Sequence, residues 1–418
     1  MIHTLIERCR VCGGANLIPI LNLGEQALTG VFPKSASEEV ESGPLELVKC
    51  DQALGGCGLV QLRHSFAPEK MYGENYGYRS GLNASMVAHL NNRVQAAIAI
   101  AKPNPSDLVL DIGANDGTTL GHYPDNLRRV GMDPTGVKFH KYYKSGIELI
   151  PNFFSAREFR SKIPNQKAKI VTSIAMFYDL EAPIHFMQDI ESILEDDGIW
   201  VFEQSYLPLM LKTNSYDTVC HEHLEYYAMA QVQWMVERSG LKIVDVELNN
   251  INGGSFCITA AKKNSNIQVE SEKIQKLIQE EYELGLHTLN PFVDFAKRAE
   301  KHRDELKDLI GKINAEGKTI YGYGASTKGN VVLQYCNLTA KDIPAIAEVN
   351  EDKFGAFTPG TRIPILSESD VRAKKPNYLL VLPWHFRESI VKREARYLAE
   401  GGSLIFPLPE IEIVKSQI

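Results

Sequence analysis

No run of about 18 apolar residues occurs in this chain of 418 residues, so no membrane-spanning helix is expected. A basic excess is missing as well. The formal net charge is −7, and no Lys/Arg stripe of the kind that grips nucleic acid is visible. The opening residues MIHTLIERCRVC lack the charged-then-apolar order of a secretion signal, which makes a cytoplasmic protein the expectation. There is no low-complexity segment. Cysteine is scarce, at seven residues, yet four of the seven fall early, as Cys9, Cys12, Cys50 and Cys57. In a cytoplasmic chain such a cluster reads as metal ligands before disulfides. The composition, 44% hydrophobic, is that of a globular protein, and the length exceeds one ordinary core, so two or three domains are expected.

Three blocks follow along the chain. The first, residues 1–68, carries CRVCGG and KCDQALGGCGLVQL. Four thiolates suit tetrahedral zinc. A block this short buries little apolar surface, so a metal staple makes physical sense. Four cysteine ligands close the site and leave no open position for catalysis. The second pair, six residues apart, is wider than the usual zinc spacing, and a metal-free set of core cysteines is the plainer alternative.

The second block, residues 69–265, alternates strands and helices, which implies a parallel, doubly wound α/β sheet with ligands at the carboxyl ends of its strands. SDLVLDIGANDGTTLGHYP gives a strand over 108–112, a tight loop and a helix start. RRVGMDP gives a second strand ending in Asp133, KAKIVTSIAMF a third and DGIWVFEQ a fourth. The loop is not the G-x-G-x-x-G of a dinucleotide site and lacks a phosphate cradle's third glycine. Its acidic and amide groups suit S-adenosylmethionine, a ligand with an amino-acid end and no diphosphate. Asp111, Gly113, Asn115, Asp133 and Met176 are the candidate cofactor residues, with Gly113 allowing close backbone approach and Asp133 accepting ribose hydroxyls.

The third block, residues 266–418, opens with charged amphipathic helices and continues into KTIYGYGASTKGNVVLQY, a second Rossmann-like beginning. A glycine-rich loop that opens a helix can hold a phosphate on backbone amides, and Lys328 adds a cation there. Gly324, Lys328 and Asn330 are therefore candidate substrate contacts.

One stretch is unusually rich in proton-handling groups: YDTVCHEHLEYY, residues 216–227. Position 225 is Glu, so no H-E-x-x-H zinc motif is completed, and catalytic acid/base work and a polar surface loop are left to compete.

These segments, with YGENYGYRSGLN and NGGSF, occur in an order that resembles the sugar C-methyltransferases, enzymes that methylate a carbon of nucleotide-linked 4-keto deoxysugars. The resemblance spans nearly the whole chain. It implies an N-terminal zinc domain, a central S-adenosylmethionine domain and a C-terminal α/β domain, with a nucleotide-linked keto-sugar bound between them and C3 as the common methylation site. The family Glu and His fall on Glu222 and His223, which makes His223 the expected base for the α-proton. Glu222 or Glu225 is then available to orient it. Tyr76 and Tyr78 can donate to an enolate oxygen, fix sugar hydroxyls, or merely pack. Two departures stand out: Cys220 occupies a position that is usually Tyr, and a family histidine falls near Tyr178, which can replace it. His221 reads equally as an orienting or a core residue. Asn252, Gly253 and Gly254 line the sugar pocket in the family reading and form a simple turn in the plainer one. Trp384 and His385 either contact the nucleotide base or cap a sheet edge. The other functions open to this sequence are an NAD(H)-linked epimerase or oxidoreductase of nucleotide sugars and a non-catalytic sugar-nucleotide-binding module. No nucleic-acid or membrane partner is expected, and the simplest assembly is a monomer.

Overall fold

The computed structural model describes residues 2–67, 71 and 78–416. Near the amino terminus, strands Leu17–Ala27, Ser42–Cys50 and Val60–Leu62 form an antiparallel sheet. Its fourth member comes from far along the chain. Glu225–Tyr226 pairs antiparallel with Val60 and Gln61, so two residues of the HEHLEYY stretch form a strand of this sheet.

The central sheet has seven strands, in the spatial order Leu241–Asn249, Ser255–Lys262, Leu194–Ser205, Ala168–Ile174, Leu108–Ile112, Arg128–Met132, Ile147–Ile150. Only Ser255–Lys262 runs against its neighbours. Leu108–Ile112 is buried at every position, Asp111 included, as expected of a central parallel strand whose other four residues are apolar. Helix Ala84–Ala101 covers one face with Met86, Leu90, Val94, Ala97 and Ala101, a single stripe at helical spacing. Its start is fixed by Asn83, whose side chain accepts from Ser85 N.

Two helices, Ser271–Glu283 and Asn290–Ala315, lead to a six-stranded sheet ordered Ile365–Ser367, Ile346–Glu348, Ile320–Tyr323, Tyr378–Val381, Ser403–Phe406, Glu412–Val414. Five strands are parallel and the last is an antiparallel edge. The charged helices have buried faces as well as solvated ones. In Asn290–Ala315 the stripe Phe292, Phe295, Ala299, His302, Leu306, Ile310 and Ile313 is buried. It belongs to one continuous core with Leu21, Leu45 and Leu62 of the amino-terminal sheet and Ile320 and Leu380 of the carboxy-terminal one. Glu281 ties the preceding helix to the central unit: its buried carboxyl accepts from Met229 N, Ala230 N and Tyr206 OH, and so caps helix Met229–Arg238. No helix of the described residues is long and apolar enough to cross a membrane.

Candidate active site

The carboxyl ends of the central strands enclose a cavity of about 340 Å³. Its floor is the DIGAND loop. Gly113 turns with φ of 74°, and a Cβ there would come within 3.3 Å of Met176 Cγ. Asn115 also has positive φ, and its side chain is stapled on both sides: Nδ2 donates to Tyr78 O, and Oδ1 accepts from Ser80 N. Asp133, one residue past the second strand, accepts from Asn115 N at 2.7 Å with one oxygen, and from Thr135 N and Oγ1 with the other. Asp111 accepts from Thr172 Oγ1 at 2.5 Å, and burial pushes its carboxyl up to about 7. All five cofactor candidates from the sequence, Asp111, Gly113, Asn115, Asp133 and Met176, line this one cavity, as do Tyr78 and Asn252. Tyr76 lies outside the described residues.

The charge of the lining decides between ligands. Asp111, Asp133, Asp179, Glu181 and Glu203 face the cavity, and among the described residues no Lys, Arg or His does. Such a field suits a cation and repels a diphosphate. Phe153, Phe154 and Phe186 supply an apolar wall for a flat base. A sulfonium ligand with a purine and no phosphate fits these residues; a dinucleotide does not. Glu203 was not singled out from the sequence. It ends the strand DGIWVFEQ at the ligand-facing end of the sheet, and it bonds His89 Nε2 at 2.6 Å and Asn249 Nδ2 at 2.8 Å.

His223 is not among the residues that line the cavity; it packs against Tyr178, whose neighbour Asp179 does line it. The His223 Nδ1 meets the backbone carbonyl of Thr218 at 2.8 Å. A carbonyl only accepts, so Nδ1 carries the proton and Nε2 keeps the lone pair. Burial, reinforced by the charge of Lys328, lowers the imidazole to about 3, so it is neutral at physiological pH. The Tyr178 ring packs on it with centroids 4.2 Å apart, and Tyr178 O accepts from Leu224 N, which fixes the segment. Lys328 reaches over from the carboxy-terminal unit to donate to Asn252 O at 2.8 Å. Asn252, Gly253 and Gly254 all have positive φ. A Cβ on Gly253 would meet Trp384, and one on Gly254 would strike Leu209 at 2.6 Å, so this turn needs glycine for both backbone and space.

Several expectations are corrected by this geometry. Neither Glu222 nor Glu225 bonds His223. Glu222 is turned to Thr29 Oγ1 and the Cys220 thiol, and burial raises its pKa. Glu225 sits on the amino-terminal sheet opposite Gln61, with Arg10 as the nearest compensating charge, and its oxygens are unpartnered. The tautomer is set instead by Thr218, whose backbone role no side-chain pattern announces. His221 is a core residue: it is fully buried, its Nε2 meets Gly43 O, and Phe66 packs edge-on against it. Asn330 is fully buried and donates to Thr29 O, joining two units, and it is not among the residues lining the cofactor cavity. Trp384 spends its Nε1–H on Asp217 Oδ2 at 2.7 Å. His385 packs against Phe386 with the rings tilted, and its Nδ1 has no partner.

The carboxy-terminal glycine loop is partly bonded within its own unit. Ala325 N donates to Glu348 Oε2, Gly329 N donates to Ser326 Oγ, and Val349 and Asn350 N donate to Glu348 Oε1. Two loop amides, those of Ala325 and Gly329, are thus taken, and the Glu348 carboxylate stands beside the loop. The glycines serve packing. A Cβ on Gly322 would lie 2.8 Å from Ile346, one on Gly324 2.8 Å from Pro383, and one on Gly329 2.7 Å from Leu382. This weakens the observation that favoured an NAD(H) enzyme.

The four early cysteines converge. Their sulfurs all lie within 4.8 Å of one another, with Cys9–Cys57 at 3.6 Å and Cys12–Cys50 at 3.5 Å. Zinc–sulfur bonds of about 2.3 Å in a tetrahedron put the sulfurs about 3.8 Å apart, so the set fits zinc. Gly14 and Gly56 leave the room: a Cβ on Gly56 would lie 2.5 Å from Cys50 Sγ.

An acidic cavity, with no Lys, Arg or His in its described lining, at the carboxyl ends of a seven-stranded sheet with one inverted strand fits an S-adenosylmethionine-dependent methyltransferase. Comparison with known proteins narrows the class. Residues 86–246 match a methyltransferase domain family, residues 250–409 the C-methyltransferase C-terminal domain, and residues 9–72 a zinc binding domain. The chain is 30% identical to the C-methyltransferase NovU of Streptomyces niveus across 99% of its own length and 98% of NovU. It belongs to the S-adenosylmethionine-dependent C-methyltransferases that carry an amino-terminal zinc-binding domain. Among solved structures, the complex of the Haloferax volcanii Trm112 methyltransferase activator with a methyltransferase is similar at a TM-score of 0.34 and 14% identity, covering 43% of this chain and 94% of that one. LepI in complex with S-adenosylmethionine follows at 0.33 and 15%, covering 44% and 54%.

Proposed function

We propose that this C-methyltransferase acts on a nucleotide-linked 4-keto-6-deoxyhexose and methylates the carbon next to the ketone, C3, in the making of a branched deoxysugar. The substrate class rests on the resemblance of YGENYGYRSGLN, CHEHLEYY and NGGSF to the sugar enzymes. The chemistry rests on one observation, the Thr218 carbonyl holding His223 in the Nδ1–H form. Carbon is a poor nucleophile until a proton leaves, and the adjacent carbonyl makes that proton removable by spreading the charge onto oxygen. His223, neutral and with its lone pair on Nε2, takes the proton as general base. S-adenosylmethionine, when bound, supplies an electrophilic methyl group. Asp111, Gly113, Asn115, Asp133 and Met176 would hold it, and the five carboxylates of the wall favour its positive charge. Tyr178 packs the imidazole in place, and Tyr78 lies at the cavity wall where a phenol can meet the sugar. The glycine turn at 252–254 and the Trp384 loop flank the region where the sugar nucleotide enters, between the central and carboxy-terminal units.

The test is product mass. Full-length protein, a thymidine-diphosphate-linked 4-keto-6-deoxyhexose and S-adenosylmethionine should give a product heavier by one methyl group. No mass gain with thymidine-, guanosine- and cytidine-diphosphate carriers in turn would overturn the sugar assignment.

A further inference from the structure

Lys328 is the second residue of helix Thr327–Tyr335, yet its ammonium belongs to the central site. It crosses between units to bond Asn252 O, and Asn252 lines the cofactor cavity. Asn252 itself has φ of 55°, and a Cβ on the next residue, Gly253, would lie 3.2 Å from Trp384. The bond to Asn252 O uses one of three ammonium donors. Among the described residues no carboxylate lies within ion-pair distance. The acid whose charge acts on it most is Asp217, and that carboxyl has turned one oxygen to Trp384 Nε1 and is itself buried. The other groups within its electrostatic reach are Cys220, His223 and His385. Burial raises the Cys220 thiol and lowers both imidazoles, so all three are neutral and none offsets the cation. Burial therefore lowers the ammonium's pKa, and Asp217, beyond ion-pair distance, offsets that only in part, so the charge is costly in the resting protein. It is well placed where a substrate supplies the negative charge.

We propose that Lys328 donates to the ketone oxygen of the substrate and holds the negative charge that develops there when His223 removes the neighbouring proton. The inference rests on the function proposed above and adds the group that stabilises the enolate. In the step, the C–H bond breaks and its electron pair becomes the carbon–carbon double bond. The carbonyl π pair moves to oxygen, and the proton goes to His223 Nε2. Lys328 keeps its own proton throughout, and no oxidant or reductant is needed. Lowering the enolate also relieves the base. The cation that makes His223 harder to protonate is neutralised as the proton arrives, so base and anion site work as one unit. The same chemistry, an anion beside a buried ammonium, would serve a diphosphate, and kinetics separates the two. An anchor for the diphosphate binds ground state and transition state alike, whereas an enolate holder acts only as charge develops.

The experiment uses full-length wild type, Lys328→Met and Lys328→Gln with a thymidine-diphosphate-linked 4-keto-6-deoxyhexose. Exchange of the α-proton in deuterated buffer is read without S-adenosylmethionine, and steady-state methylation with it. Lys328→Gln keeps most of the stem and a neutral donor, so a folding defect of the Met variant does not decide the matter, and S-adenosylmethionine affinity reports the fold of both. The expected result is a fall of about 10²–10³-fold in kcat and in exchange rate together, with KM nearly unchanged. A rise in KM with kcat and exchange intact makes Lys328 a diphosphate anchor and overturns the proposal. Unchanged kinetics overturn it too, leaving a structural cation. Absence of exchange and methylation in the wild type instead overturns the sugar reading, and the role of Lys328 with it.

Discussion

Thr218 and His223 are joined by a 2.8 Å hydrogen bond in which the imidazole Nδ1–H meets a backbone carbonyl. Because that carbonyl cannot donate, the bond leaves the Nε2 lone pair as the base. His223→Asn should therefore abolish α-proton exchange and lower methylation by about 10²–10⁴-fold while S-adenosylmethionine binding holds. The imidazole is lowered to about 3, mainly by burial. The free enzyme then keeps a neutral His223 across the ordinary histidine range, and kcat/KM should show no limb that depends on His223 between about pH 6 and about pH 7.5, where Asp111, pushed up to about 7, is the group that titrates. An acid limb near 6.5 that disappears in His223→Asn would show an ordinary imidazole and refute the buried geometry.

Zinc and catalysis should be coupled through one short strand. Glu225–Tyr226 pairs with Val60–Gln61, Val60 follows Cys57 by three residues and lies opposite Lys49, next to Cys50, and His223 lies two residues before the short strand. Cys12→Ser or chelation should lower methyl transfer more than cofactor affinity, because the cofactor cavity lies on the central sheet. Metal content by mass spectrometry should read one zinc per chain in the wild type. Equal losses of cofactor affinity and turnover would mean that the zinc unit supports the whole molecule and not His223 in particular.

Asp133 holds the cofactor loop from below with three bonds, to Asn115 N, Thr135 N and Thr135 Oγ1. Asp133→Ala removes all three and should weaken S-adenosylmethionine binding by at least about tenfold, since a single charged hydrogen bond is worth about 1.5–3 kcal/mol. Titration calorimetry measures it. Affinity within twofold of wild type would exclude Asp133 from the cofactor site.

His221 should mark itself in stability and not in mechanism. Burial lowers its imidazole to about 4. Below the ordinary value near 6.5 the unfolded chain takes up a proton that the folded chain refuses, so this residue costs stability increasingly as pH falls toward 4 and nothing above about 7. His221→Phe removes that cost. The stability of wild type minus that of the variant, from urea unfolding, should fall as pH drops through this window. A difference constant with pH would mean that the native ring protonates as readily as the unfolded one.

The parts of this site that were legible in the sequence are those that local chemistry fixes. DIGAND after an apolar run, an acid after the second strand and four cysteines in two pairs each need only a strand, a turn and their neighbours. All five cofactor candidates do reach one cavity. What was hidden depends on residues far apart or on the backbone. Nothing near Glu225 says that its strand partner is Gln61, more than 160 positions away. Thr218 acts through a carbonyl, which every residue has. Lys328 looked like a phosphate ligand because glycines surround it; only the structure shows Glu348 on the loop amides and the ammonium directed to Asn252. Strand Ile147–Ile150, four residues at a sheet edge, is too short to announce itself beside stronger neighbours.

The most direct measurement is the mass of a nucleotide-linked 4-keto-6-deoxyhexose recovered from deuterated buffer after incubation with wild type and with His223→Asn, with and without S-adenosylmethionine. The wild type should introduce deuterium without the cofactor and one methyl group with it, and His223→Asn should do neither. Methyl gain that survives in His223→Asn would remove His223 as the base and, with it, the account of how this fold makes carbon a nucleophile.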